Sequence, residues 1–384
     1  MSGWIDCCWG DIASLEYGRG IRDYRDDRAP YPVFGTNGQI GWYREALWNG
    51  PGVVVGRKGA YRGVHYSKQA FFAIDTAFYL KPKTDIDMRW AYYELLTHDI
   101  NGLDSGSAIP STSRDDFYRL EVKFPPLPIQ RRIAEILGRL DDKIEVNRRI
   151  NRTLEAMAQA LYRHWFVNFK PFRDGEFVDS ELGLIPKGWE VVTLAHFVSI
   201  EAEVINPQDF PSEVFHHYSI PAYDEGQFPV IESGSAVKSG KYLMSSDRVL
   251  VSKLNPQNYR AWTVYQLPDL RSFSSAEFIN FVCKSSEAWA FVNCYTRSDD
   301  FVNEFRSHVA GTTGSRQRVP PGVPLGFRLA RPTDDVLRQF ERIVGPCYNL
   351  IQSNLAESRR LAATRGYLLP KLLSGKVEAR DVHE

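Results

Sequence analysis

Two stretches of this 384-residue chain share a pattern that few folds can accommodate. In the first, Ile133, Leu137, Leu140, Ile144, Asn147, Asn151, Leu154, Ala158, Leu161 and Trp165 are spaced four, three, four, three throughout. Between Ile129 and Phe169 there is no proline, and Gly138 is the only glycine. A 4-3 spacing sustained over several heptads predicts a long helix whose seam pairs with another helix. At about 1.5 Å per residue, about forty residues make a rod of about 60 Å. In the second stretch, Phe340, Val344, Cys347, Ile351, Asn354, Ser358, Leu361, Arg365, Leu368 and Leu372 carry the same spacing. A constant offset of 207 residues takes Ile133 to Phe340, Asn147 to Asn354, Leu154 to Leu361 and Leu161 to Leu368.

The segments before each seam repeat more loosely. "SGWIDCCWGDI" matches "KGWEVVTLAHF", and "GSAIPSTSRDDF" corresponds to "GTTGSRQRVPPG". In the first, "GVVVGRKGAYRGVHYS" and "QAFFAIDTAFYLK" read as strands broken by glycine turns, and "DMRWAYYELLTHD" as a short helix. Proline-rich "FPPLPIQ" closes it, as "RVPPGVPLGFRLARP" closes the second. The plan is globule, rod, globule, rod, an internal duplication. We expect an α+β chain: a mixed α/β domain over 1–126, a long helix over 127–170, a second such domain over 171–330 and a second long helix over 331–384. The helices would pair as an antiparallel coiled coil and act as a spacer between the domains.

Asparagine on an apolar seam costs stability but fixes register. The seam midpoints fall near Arg149 and Ala356. A pseudo-two-fold there would face Asn147 with Ser358 and Asn151 with Asn354. A slip by one heptad would oppose Asn151 or Asn354 with an apolar side chain. The polar block would then lock the register, and with it the length of the spacer.

Composition excludes several classes. At 43% hydrophobic and 24% charged residues the chain has an ordinary soluble balance. No apolar run approaches the roughly 18 residues needed to cross a bilayer. "MSGWIDCCWGD" lacks the basic-then-apolar order of a secretory signal. The five cysteines form no C-x-x-C pair, which fits buried thiols in a reducing cytoplasm. Equal counts of 47 basic and 47 acidic residues argue against a chain that coats nucleic acid everywhere, yet leave room for local basic patches.

A search for catalytic motifs finds none. "NPQD" and "NPQN" lack the residues that an adenine methyltransferase loop requires. "GSAVKSGKY" has the wrong gap for a phosphate loop, with Tyr242 in place of the hydroxyl. Pro268–Leu270 and Glu277 begin a nuclease-like pattern, but Phe278 and Ile279 leave no lysine at the right place. His216 and His217 have no carboxylate companion in the sequence and read as a solvated loop. No G-x-S-x-G is present.

Four polar turn clusters remain. They are Arg57, Lys58, Tyr61 and Arg62; Ser111, Ser113 and Arg114; Lys253, Asn255, Gln257, Asn258, Tyr259 and Arg260; and Arg316, Gln317 and Arg318. Arginine and lysine suit guanine and phosphate, and the amides suit adenine. Any single cluster is an ordinary solvated loop. Four at corresponding places in two repeats point to nucleic acid.

"PVFGTNGQIGWYREALWNGPGVVVGRKGAYRGVHYSKQAFFAIDTAFYL" resembles the target recognition domain of specificity subunits of Type I restriction-modification systems. "SGSAIPSTSRDDFYRLEVKFPPLPIQRRIAEILGRLDDKIEVNRRINRTLEAMAQALYRHWF" resembles the end of that domain with the family's central region. "DSELGLIPKGWEVVTL", "GTTGSRQRVP" and "YLLPKLLSGKVE" are similar to later segments, in the family's order; residues 200–310 match least. The resemblance implies a non-catalytic, cytoplasmic subunit. Each recognition domain reads one half of a split double-stranded DNA target, largely through the major groove. The helices set the gap and dock two methyltransferase subunits, and motor-nuclease subunits join the larger complex. No cofactor is expected in this chain; S-adenosylmethionine, ATP and magnesium would belong to the partners. A coiled-coil scaffold, an orphan or regulatory DNA-binding protein without restriction partners, and a nuclease in its own right stay open at this point.

Overall fold

The computed structural model describes residues 3–377 except 27, 105, 107–109, 265–269 and 312–316. Two compact units emerge: Met1–Glu145 with Arg360–Glu384, and Val146–Arg359. The first long helix, Leu127–Tyr162, and the second, Asp334–Leu373, each give part of their length to each unit. Their starts are separated by the same 207 residues as the seams. Proline does not delay the first helix, because Pro128 stands in its first turn, where no backbone N–H is required. The helix ends in a π-helical turn, Arg163–Val167, and Phe169 then takes a left-handed φ of 50°.

Unit 1 holds nine strands: β1 (Ile5–Cys8), β2 (Ala13–Tyr17), β3 (Tyr31–Gly35), β4 (Gly38–Tyr43), β5 (Gly52–Gly56), β6 (Val64–Ser67), β7 (Phe72–Ala73), β8 (Ala77–Pro82) and β9 (Glu121–Phe124). They form a four-stranded sheet in the order β2-β8-β5-β6, a three-stranded sheet β4-β3-β7 and a closing ribbon β1-β9. Asp87 caps the helix Met88–Leu95 by accepting from Arg89 N and Trp90 N. Trp9, Trp90 and Phe117 fill the centre, and Ile133, Leu137 and Leu372 of the long helices join the same core.

Asp141 of the first helix accepts from Tyr93 Oη and from Arg365 Nη1 of the second, each at 2.6 Å. Arg89 donates twice to Asp142 at 2.9 Å and once to Gly138 O at 2.9 Å. A Cβ on Gly138 would stand 2.5 Å from that guanidinium carbon, so the one glycine of the seam region is where the arginine crosses. The Arg89 hydrogen bonds hold the Asp142 carboxyl down to about 2. Glu94, buried, accepts from Trp9 Nε1 at 2.7 Å and pairs with His98 at 2.8 Å.

Unit 2 holds the remaining thirteen strands: β10 (Phe177–Ser180), β11 (Gly183–Pro186), β12 (Glu190–Thr193), β13 (Val198–Ile200), β14 (Val204–Ile205), β15 (Val214–Tyr218), β16 (Val230–Ser233), β17 (Lys241–Met244), β18 (Arg248–Ser252), β19 (Ala261–Val264), β20 (Ser272–Ser275), β21 (Phe278–Cys283) and β22 (Arg328–Arg331). The four-stranded sheet β13-β21-β18-β19 repeats the order of its counterpart in unit 1. The ribbon β12-β22 repeats β1-β9. β15 pairs in parallel with β20 and antiparallel with β16, as β3 does with β7 and β4. β14 and β17 are additions to this half. The duplication read from the seams therefore extends through both sheets.

His216 and His217 lie on β15, not in a solvated loop. His216 is 6% exposed, and His217 Nδ1 sits 2.6 Å from Glu232 Oε2 of the neighbouring strand. Among the described residues no group of three or more His, Cys, Asp or Glu could hold a metal ion, and no helix is long and apolar enough to cross a membrane.

Within unit 2 the two long helices run antiparallel through the asparagine block. Asn354 Nδ2 donates to Asn151 Oδ1 at 2.8 Å, and Asn147 Nδ2 donates to Ser358 Oγ at 3.2 Å. Asn147 also reaches Glu357 Oε2 at 2.8 Å, and Asn151 Nδ2 reaches Ile351 O at 3.4 Å. All four seam residues are buried. The expected facing pairs are the observed ones. Ala158, Tyr162, Phe340, Val344 and Ile351 continue the seam into the core of this unit.

Two outcomes follow from this packing. Asn354→Leu alone leaves Asn151 Oδ1 buried without its donor and should cost about 1–3 kcal/mol. Replacing Asn151 as well should recover most of that loss in denaturant unfolding, whereas additive single effects would contradict the pairing. Glu94 raises the His98 pKa, first through its hydrogen bond. The pair's stabilisation is then complete below the unfolded histidine value, roughly 6.5, and fades as pH rises through the higher folded value. The melting-temperature gap between wild type and His98→Gln should shrink from pH 5.5 to 8.5.

Candidate nucleic-acid interface

In unit 1 the turn between β5 and β6 carries the first polar cluster. β5 is fully buried, so the chain must reverse at the core's edge. Gly59, at φ +120°, permits the reversal. The chain at 110–112 lies alongside: Gly59 N donates to Pro110 O, and Thr112 N to Arg57 O, both at 2.9 Å. Lys58 and Ser111 bridge as strand partners. The first two clusters are thus one surface.

Their side chains divide by role. Arg57 lies with its guanidinium carbon 4.7 Å from the Tyr17 ring centroid, and its Nη1 donates to Asp75 O at 2.9 Å. The Arg114 guanidinium carbon also lies 5.2 Å from the Tyr17 ring centroid, and its Nη2 donates to Tyr118 Oη. Lys58 and Tyr61 are exposed, Tyr61 at 79%. Arg62 is a correction to the expected reading face. It is 3% exposed, and its guanidinium donates to Gly59 O and Asn101 O, so it braces the turn from inside. Ser113 caps the helix Arg114–Tyr118 through Asp116 N, which commits its hydroxyl.

Unit 2 builds the same frame between β18 and β19. Asn255 N donates to Gln317 O at 2.9 Å, and Val319 N to Lys253 O at 3.1 Å. Leu254 and Arg318 bridge, as Lys58 and Ser111 do. Asn255 takes a φ of +49° where unit 1 has glycine. Arg306 donates to Pro256 O and Gln257 O, pinning the turn from the helix Asp299–Ser307. Gln257 and Asn258 are exposed; Lys253, Asn255 and Gln317 are half-buried.

Three expected readers in this half serve the frame. The Tyr259 ring packs on Phe305 at 5.9 Å and its hydroxyl donates to Thr296 O, which removes it from the surface. Arg260 forks onto Asp224 at 2.7 and 2.8 Å. Arg318 forks onto Glu277 at 3.0 and 2.8 Å, and that hydrogen bonding lowers the Glu277 pKa. Arg316 lies outside the described residues. Tyr17, Arg306 and Asp224 were not singled out by sequence reasoning, and Glu277 was weighed only as part of a nuclease-like pattern. Only Tyr17, an aromatic beside "GRG", carried a local signal; the others act across 36 or more residues.

This chain is a duplicated α+β protein with an equivalent polar turn surface in each half. Residues 1–156 match the family model described as Type I restriction modification DNA specificity domain. The chain is 26% identical over 318 residues to the Type I restriction enzyme MjaIX specificity subunit of Methanocaldococcus jannaschii, covering 78% of this chain and 72% of that protein. It is 38% identical over 82 residues to the HindI specificity subunit of Haemophilus influenzae, covering 21% and 17%. The S subunit of the Type I restriction-modification system from M. genitalium shares the fold, with a TM-score of 0.60 and 16% identity over 97% of this chain and 96% of that one. The first 156 residues thus match a Type I restriction modification DNA specificity domain, and the chain is similar to Type I specificity subunits over most of its length.

Removal of an internal brace and removal of an exposed donor should separate cleanly. Arg62→Ala empties a buried site and removes the donors to Gly59 O and Asn101 O, and should cost about 1–3 kcal/mol. Lys58→Ala should stay within about 0.5 kcal/mol of wild type. Equal losses in thermal unfolding would contradict the division of roles.

Proposed function

We propose that the chain reads a bipartite double-stranded DNA target, one half-site per recognition domain, without catalysis of its own. The observation that carries this reading is the pair of turn frames built by equivalent backbone hydrogen bonds, one in each unit. Two methyltransferase subunits dock on the chain, and motor-nuclease subunits complete the restriction complex in the cytoplasm. S-adenosylmethionine, ATP and magnesium act in those partners.

The long helices supply a surface suited to docking. In unit 2 the outer face of the first helix carries Arg149, Arg152, Thr153, Ala156, Met157 and Ala160 around an open groove of 570 Å³. Met157 is 50% exposed, and Ile343 and Leu350 of the second helix are 47% and 46% exposed. Apolar side chains at heptad spacing on an outer face favour a helical partner. The asparagine block fixes helix register and so sets the gap accepted between half-sites. A zero net charge suits a chain that shares phosphate contacts with partners.

Exchange tests the modular reading. Residues from Glu190 to Arg331, the outer ends of the closing ribbon of unit 2, are replaced with the matching segment of another specificity subunit. With the methyltransferase subunits co-expressed, a map of methylated adenines should show one half of the target changed and the other kept. Change in both halves would overturn the reading, as would DNA cleavage by the pure chain with magnesium.

A further inference from the structure

The two turn frames are equivalent in backbone and opposite in side-chain chemistry. Gly59 and Asn255 occupy one position, both at positive φ, and each donates its N–H to the neighbouring segment. Arg57 and Lys253 likewise correspond, each accepting through its carbonyl from that segment. What the frames present differs. The first offers a guanidinium and an ammonium, Arg57 and Lys58. In the second, the guanidinium groups of Arg260 and Arg318 are forked onto carboxylates, and the exposed polar heads are the amides of Gln257 and Asn258. Lys253 stands close enough to Glu277 to help lower its pKa, so that cation too is partly answered within the protein.

We propose that the turn of unit 1 reads a guanine through Arg57, and that the turn of unit 2 reads an adenine through Gln257 and Asn258. This assignment rests on the split-target reading above. The argument is one of complementary edges. A guanidinium has donors only and matches the two acceptors, N7 and O6, on guanine's major-groove edge. An amide carries one acceptor and one donor group and matches N6 and N7 of adenine. Opposite guanine, an amide could satisfy one acceptor while its own oxygen faced the other. Arg57 is also held in place before DNA arrives: Tyr17 lies beneath its plane, and the Asp75 carbonyl takes one Nη1 hydrogen. Among the described residues its Nη2 has no partner, and neither amide head of Gln257 or Asn258 makes a side-chain hydrogen bond.

The test uses the full chain co-expressed with its methyltransferase subunits in a host without adenine methylation of its own. Methylated positions are mapped across the host DNA for wild type, Arg57→Ala, Arg57→Lys, and Gln257→Ala with Asn258→Ala. Arg57→Ala should relax the preference for one guanine, in one half-site, by about tenfold or more. Arg57→Lys, which keeps the charge and loses the fork, should relax the same position with less loss of total methylation. The amide variant should relax an adenine other than the methylated one, in the opposite half-site. Thermal unfolding equal to wild type accompanies each of these results. The assignment is overturned if Arg57→Ala relaxes an A·T position, or if both sets of variants act in one half. A uniform fall over all sequences in a folded Arg57→Ala chain would make it a phosphate contact and equally overturn it. A wild-type map without any split motif would instead overturn the proposed function.

Discussion

A few buried polar side chains hold the most demanding constraint in this molecule. Asn147, Asn151, Asn354 and Ser358 occupy seam positions where leucine would give more apolar burial, and they hydrogen-bond one another across two antiparallel helices. The contact has direction: moving four residues up one helix, from Asn147 to Asn151, moves four residues down the other, from Ser358 to Asn354. An apolar seam alone is degenerate, since a shift of one heptad returns leucine to leucine. Here such a shift would bring Asn151 against Cys347 or Leu361, and Asn354 against Ile144 or Ala158. Each mismatch strands a buried amide at about 1–3 kcal/mol. A few such mismatches approach the whole net stability of a domain, commonly about 5–15 kcal/mol. Register is thereby decided by hydrogen bonding, while the apolar seam supplies adhesion.

Charge is handled by a similar internal accounting. A neutral chain could be read as indifferent to nucleic acid, but the overall balance hides how individual cations are used. Arg260 and Arg318 answer Asp224 and Glu277, Arg89 answers Asp142, and buried Arg62 donates to backbone carbonyls. These groups stiffen the turns and the helix junction. On the turn of unit 1, Lys58 and the stacked Arg57 stay outward. A turn of this kind offers positioned hydrogen-bond donors more than a strong field.

The architecture was largely readable from residue spacing, because helices and repeats write themselves as periodicity. The 207-residue offset of the seams reappears in the helix starts at Leu127 and Asp334. "FPPLP" closes the first globule and leads straight into the helix at Leu127, since proline in a first helical turn loses nothing. What spacing could not show was which side of a turn faces inward. Arg62 and Tyr259 look like surface readers in sequence, because a glycine-rich polar stretch reads the same on either face. Burial is decided by what packs against it: the Asn101 carbonyl for one, Phe305 and the Thr296 carbonyl for the other. His216 and His217 escaped for a related reason. Two adjacent histidines resemble a loop until a neighbouring strand supplies Glu232. The compact units also cut across the long helices, because each helix contributes apolar residues to two cores.

A frame made of backbone hydrogen bonds also explains how one architecture can carry two different sets of turn side chains. The bonds from Gly59 to Pro110 and from Asn255 to Gln317 use main-chain atoms alone, so they place no demand on side-chain identity. The one local demand is a residue that tolerates positive φ. Glycine meets it without cost, and asparagine with less strain than most residues. Once that position is satisfied, its neighbours can exchange guanidinium for amide without disturbing the sheet below, whose strands β5 and β18 are buried along their whole length. Support has been adjusted to match the occupant. Unit 1 steadies its arginine with an aromatic ring, and unit 2 pins a longer polar turn with Arg306 from an added helix. Fold and turn chemistry thus rest on different atoms, and the second can diverge between two halves of one chain while the first remains in register.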